Sequence, residues 1–158
     1  MNNIGLSGII LVSLFCVQTP VWGQNEIRDS LIDETLRDFL SEYSSFFNRE
    51  KECMILARSF PCDYNLGKWT ESPQIGIADF CDKKTIKRLK RTKNGIPTID
   101  FYWNITSDGA ALFRLTIRYV KIEKHELNIA ISDGCTYYYN YSEQNKGWVL
   151  QSKERWGI

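Results

Sequence analysis

From Thr98 to Trp156 apolar and polar residues alternate with period two, a constraint stronger than any other in this chain. Successive side chains of a β-strand point to opposite faces, so the stretch predicts strands with one dry and one wet side. Turn residues gather at Ser107-Asp108-Gly109, at Asp133-Gly134 and from Glu143 to Gly147, and these clusters divide it into four or five consecutive strands. Phe113, Leu115, Ile117 and Tyr119 share one side, with Arg114, Thr116 and Arg118 opposite. Leu127, Ile129 and Ile131 repeat the pattern, and Cys135, Tyr137, Tyr139 and Tyr141 share a face against Thr136, Tyr138 and Asn140. Ala110 to Lys124 is long for one strand, so a bend or bulge is expected there, and with it a curved sheet with a concave side.

Helices are expected upstream. Ile32, Leu36, Phe39, Leu40, Tyr43 and Phe47 recur at spacings of three and four, which predicts a main helix over Ile27 to Asn48 with an apolar stripe that a sheet would cover. A second helical piece is expected from a cap at Asn48 through Cys53, Met54, Leu56 and Ala57, ending before Pro61. Cys62 to Pro73 reads as irregular or as a short edge strand, and a third helix is expected over Asp79 to Arg91, capped by Asp79 or Asp82. That last segment is the most basic of the chain, with Lys83, Lys84, Lys87, Arg88, Lys90, Arg91 and Lys93; it reads as a solvated helix face, with the binding of a phosphate-rich or sulfated partner as the alternative. Asn94-Gly95 and Pro97 then turn the chain into the sheet.

Residues 1–23 read as an export signal: an apolar run from Ile4 to Val17, then Val21 and Gly23 as the small residues before a cleavage site. Residues 24–158 would then be one exported domain, periplasmic or extracellular, with no membrane segment after cleavage. Discarding Cys16 with the signal leaves Cys53, Cys62, Cys81 and Cys135 as disulfide candidates, for which three pairings are possible. None of their spacings is that of a zinc site, so no metal is expected. A net charge of +1 gives no reason to expect a nucleic-acid partner.

Little chemistry is written into the residues. His125 is the one histidine and lies between Lys124 and Glu126 at a strand junction, the setting of a surface loop. No P-loop, no G-x-S-x-G and no G-x-G-x-x-G is present, and no cofactor is implied. Asp100, beside Phe101 and near Trp103, is the one catalytic candidate, because burial within an aromatic strand would fit a carboxyl for base work. The aromatic residues are more suggestive: Trp103, Tyr137, Tyr139, Tyr141 and Trp148 would line a ligand-binding concave face, where rings with polar tips suit recognition.

The order of helices, basic helix and long antiparallel strands resembles the nuclear transport factor 2-like superfamily, an α+β fold related to cystatin-like folds, and within it uncharacterised secreted bacterial members. The residues that carry the likeness are Phe39 and Phe46, the Arg58-Ser59-Phe60-Pro61 segment, and the closing strand from Gly147 to Trp156. The resemblance implies an α+β domain whose N-terminal helices pack on a cone-like antiparallel sheet of four to six strands. Enzymatic members place an acid inside the cone, often with Tyr or His; no such set can be matched here, so catalysis is not carried over. The expected function is a non-enzymatic binding module for a small molecule or protein, with a homodimer as a possible state. The alternatives are a small enzyme with a buried acid in the cone and an inhibitor or immunity-type protein.

Overall fold

The alternating C-terminal stretch forms four strands, and a fifth and sixth are added from the middle of the chain. The structure is a computed structural model that describes residues 21–47, 52–70 and 75–157. Most of the expected export signal, with Cys16, lies outside the described residues, as do the cap expected at Asn48 and Pro73. In chain order the elements are helix α1 (Val21–Glu42), the short helix α2 (Ser44–Phe47), strands β1 (Cys53–Leu56) and β2 (Ile75–Ala78), helix α3 (Lys83–Arg91), and strands β3 (Ile96–Ile105), β4 (Ala110–Glu123), β5 (Glu126–Ser142) and β6 (Gly147–Gly157). The fold is α+β, with one sheet in the order β2-β1-β3-β4-β5-β6.

This sheet is mixed, where the sequence predicts an antiparallel one. β1 runs parallel to both β2 and β3, whereas β3 to β6 are antiparallel neighbours. The second expected helix is in fact β1 followed by a 3-10 turn at Ala57–Ser59. Four consecutive apolar residues, Cys53 to Leu56, suit a central strand covered on both faces, and Cys53, Met54 and Ile55 are fully buried. The edge strand falls at Ile75–Ala78, just past the segment where one is expected.

Two cores lie on opposite faces of the sheet. On one, Leu31, Ile32, Leu36 and Phe39 of α1 and Phe47 of α2 cover Ile99, Phe101, Phe113, Leu115, Ile117, Tyr137 and Tyr139. A column of rings runs through it: Phe60 stacks on Tyr64 and, at 4.5 Å, on Phe101, which stacks on Phe113, which meets Tyr139 edge-on. Tyr64 donates to Asp33 of α1 at 2.5 Å, and Lys68 pairs with the same carboxylate at 2.6 Å, fixing the segment after β1 to the helix. The smaller core, Met54, Ala78, Leu89, Ile96 and Val120, lies on the other face beneath α3. Asp82, one of the two expected caps, starts α3 by accepting a hydrogen bond from the Thr85 N–H.

Asp133-Gly134 does not turn the chain; a bulge at Ser132-Asp133 precedes Gly134 instead. Thr116 faces Gly134 while Arg118 faces Ile131, so β5 carries one extra residue against β4, and the two expected strands Glu126–Ile131 and Cys135–Tyr141 are one. An extra residue reverses the phase of a strand. Cys135, Tyr137 and Tyr139 therefore face α1, whereas Leu127, Ile129 and Ile131 face the α3 side and stand exposed. A second shift, with Tyr138 opposite Ser152 and Tyr139 opposite Leu150, adds a residue to β6 at Gln151.

Candidate functional site

α3 covers its side of the sheet only at β1, β2, the start of β3 and the end of β4 around Val120 and Ile122. Beyond α3 the register places Asp100 opposite Thr116, Tyr102 opposite Arg114, and Arg114 opposite Thr136, so these side chains share the uncovered face. Asp100, Tyr102, Arg114 and Thr116 line an open groove of about 400 Å³ with Arg118, Ile131 and Trp156. Arg118 pairs with Asp100 at 2.6 Å, and its Nε is buried with no hydrogen-bond partner. Arg114 donates from Nε to the Thr136 hydroxyl at 3.3 Å, and among the described residues no carboxylate pairs with it. The groove thus holds two guanidinium groups, one carboxylate, two aromatic residues and an aliphatic wall, the combination that grips an anionic group on an apolar body.

Asp100 is accordingly on the face opposite α1, ion-paired to Arg118, and not inside the space between helix and sheet. The five aromatic candidates all belong to the α1 side. Tyr137 and Tyr139 are 1% and 2% exposed, and their hydroxyls meet α1: Tyr137 donates to Asp38 at 2.9 Å and Tyr139 lies 3.1 Å from the Thr35 hydroxyl. Their rings are core, as the helix fills the face they were expected to line. Trp103 packs partly against the same core with the Arg28 guanidinium 6.0 Å from its ring. Tyr141 and Trp148 meet edge-on, 5.9 Å apart, at the exposed end of β5 and β6. The groove residues missed from the sequence, Arg114, Thr116 and Arg118, were legible as the polar phase of β4, a position that reads as solvent.

A second polar cluster joins α1 to β6. Lys153 pairs with Asp38 at 2.5 Å and contacts Glu42, and Arg155 contacts the other Glu42 oxygen. Glu42 is 9% exposed at its side chain, with the Cys135 thiol 3.9 Å away. Burial, the largest influence, raises the pKa of Cys135 above the ordinary thiol value. Burial, with help from the Cys135 and Asp38 contacts respectively, holds the Tyr43 and Tyr137 phenols well above the ordinary tyrosine range. This is a neutral thiol beside a carboxylate already held by two cations, an arrangement of struts.

Among the described residues Cys53 and Cys135 are buried, Cys62 and Cys81 are exposed, and no two of these four are joined. Cys53 and Cys135 sit on β1 and β5 with β3 and β4 between them, which separates them by about 14 Å, beyond disulfide reach. Among the described residues no group of His, Cys, Asp and Glu forms a metal site, and no helix is long and apolar enough to cross a membrane. No family model, curated protein or solved structure matches the chain.

Proposed function

We propose that this chain is an exported, non-enzymatic binding module, periplasmic or extracellular, that takes an anionic group of a small molecule or protein in the groove beneath Arg114 and Arg118. One observation carries this: of the two guanidinium groups on the uncovered face, Arg118 is neutralised by Asp100, while among the described residues Arg114 has a neutral hydroxyl and no carboxylate partner. An Arg beside aromatic rings and not ion-paired among the described residues is matched by a carboxylate or phosphate on an apolar ligand. Tyr102 and Trp156 would hold the apolar part. Kinship with the nuclear transport factor 2-like superfamily, and a cone-like curvature of the sheet, belong to the same proposal; the long helix against antiparallel strands supports them.

A second reading, a small enzyme with a buried acid, now rests on Glu42, which lines a cavity of about 310 Å³ with Tyr43, Asp133, Arg155 and Trp156. Its two cationic contacts favour the structural role.

The test is a ligand-observed NMR screen of aromatic carboxylates against their uncharged amides, using the chain and its Arg114→Ala variant. Carboxylates should bind where amides do not, and the variant should lose them by at least about tenfold in affinity. Equal response to acids and amides, or binding untouched by the variant, would remove the groove from consideration.

A further inference from the structure

We infer that the free edge of β5 between Glu126 and Ser132 pairs antiparallel with the same edge of a second copy, about a two-fold axis at Ile129. β6 pairs with β5 only from Asp133 onward, so the preceding half of β5 has β4 on one side and nothing on the other among the described residues. Lys124 and His125 both have positive φ, 50° and 73°, which makes the β4–β5 connection a two-residue hairpin turn of the mirror-image type. In such a turn Glu123 and Glu126 form the closing hydrogen-bonded pair. Alternation then points the backbone of Asn128 and Ala130 at β4 and the N–H and C=O groups of Leu127, Ile129 and Ile131 outward. The bulge at Ser132-Asp133 reverses this phase, consistent with the Tyr141 N–H donating to Gly109 beside β4.

The side chains of the same three residues face the α3 side and are 46%, 46% and 49% exposed. They extend the row begun by Val120 and Ile122, which oppose Ile129 and Leu127 on β4. An apolar edge with no Lys, Pro or charge from Leu127 to Ile131 lacks the devices that keep strand edges apart. The β6 edge, by contrast, carries Lys153, Glu154 and Arg155.

Self-pairing fits this segment in three ways. Turned about Ile129, Leu127 faces Ile131 of the second copy and Asn128 faces Ala130, so all the outward backbone groups are satisfied and the aliphatic chains meet on one face. Glu126 meets Ser132, and the Lys124–His125 turn comes beside Asp133, so charges are complementary and none is opposed by its like. The lengths also match: β6 ends against Asp133, where the incoming strand reaches its own turn. The contact is isologous, as two-fold dimers require.

Sedimentation velocity on the purified chain over a wide concentration range, with amide hydrogen exchange, tests this. A monomer–dimer equilibrium is expected, with protection at Leu127, Ile129 and Ile131 that rises with concentration. Ile129→Lys sets two lysines face to face and should weaken the dimer roughly a hundredfold while leaving the circular dichroism unchanged. Ile77→Lys, on the β2 edge where Ile77 is 40% exposed, should leave it intact. A monomer at every concentration, a dimer indifferent to Ile129→Lys, or protection elsewhere would overturn the inference.

Discussion

Gly134 of β5 lies directly beneath the indole of Trp156 on β6, while the Tyr43 hydroxyl donates to its carbonyl at 3.3 Å. A Cβ at this position would run into the ring and sit 2.6 Å from the Leu115 carbonyl oxygen. Gly134 follows the bulge that sets the phase of both halves of β5, so the close approach of backbone and ring fixes the groove wall. Gly134→Ala should cost about 1–3 kcal/mol, as overpacking does, and shift the tryptophan emission of the folded state. Chemical denaturation monitored by fluorescence checks both, and an unchanged midpoint would show that Trp156 moves aside freely.

Four phenols should resist ionisation while the fold persists. Burial is the largest influence raising Tyr43, Tyr64, Tyr137 and Tyr139, and nearby carboxylates or thiol add to it. A folded-state pKa above the unfolded one means that the stability these groups contribute is complete below the ordinary tyrosine pKa and declines as pH rises beyond it. With 8 tyrosines in the chain, ultraviolet titration should show phenolate appearing in two parts, the later one together with loss of far-ultraviolet structure. A single smooth titration with structure retained would contradict the burial of Tyr137 and Tyr139.

The acid limb should report on α3. Hydrogen bonds from the backbone, that of Thr85 first, hold Asp82 below the usual carboxylate pKa. Its stabilising effect is therefore complete above the unfolded-state value and is lost as pH falls through the folded one. Asp82→Asn keeps a capping oxygen without the charge. Its melting temperature should fall less steeply than that of the parent chain below the ordinary aspartate pKa; parallel curves would leave the cap without an electrostatic role.

Thiol chemistry separates the cysteines by depth. Cys62 and Cys81 are exposed and Cys53 and Cys135 buried, so a bulky maleimide should modify the first pair in the folded protein and the second only in denaturant. Intact mass after each step reads the count. Protection of Cys62 and Cys81 that reduction removes would instead place a bridge between them.

Much of the architecture was legible in residues 98–156, because exposed and buried positions alternate over long strands. The same alternation hid the reversal at Ser132-Asp133: Ile131 and Cys135 look in phase, and only pairing with Thr116 and Arg118 shows that one residue is left over. Cys53 to Leu56 was ambiguous for a different reason, since four apolar residues in a row suit a buried helix turn as well as a parallel strand. Asp100 and Arg118 are 18 positions apart in the chain, and their ion pair exists only through the β3–β4 register. Tyr137 and Tyr139 announced a polar tip near an apolar body; that α1 supplies Asp38 and Thr35 to those tips is a tertiary fact.

The clasp between α1 and β6 should be cooperative. Lys153 touches both Asp38 and Glu42, and Glu42 also meets Arg155, so removing the lysine leaves a 9%-exposed carboxylate with one cation, itself 68% exposed. Removing one member of a largely buried pair costs more than removing both, since the survivor keeps its desolvation penalty. Lys153→Met alone should cost about 1–3 kcal/mol, discounted for the partial exposure of the lysine. Glu42→Gln with Lys153→Met together should cost less than the sum of the two single changes. Urea midpoints for the four chains close the cycle, and strict additivity would show that Lys153 is held by Asp38 alone and that Glu42 answers only to Arg155.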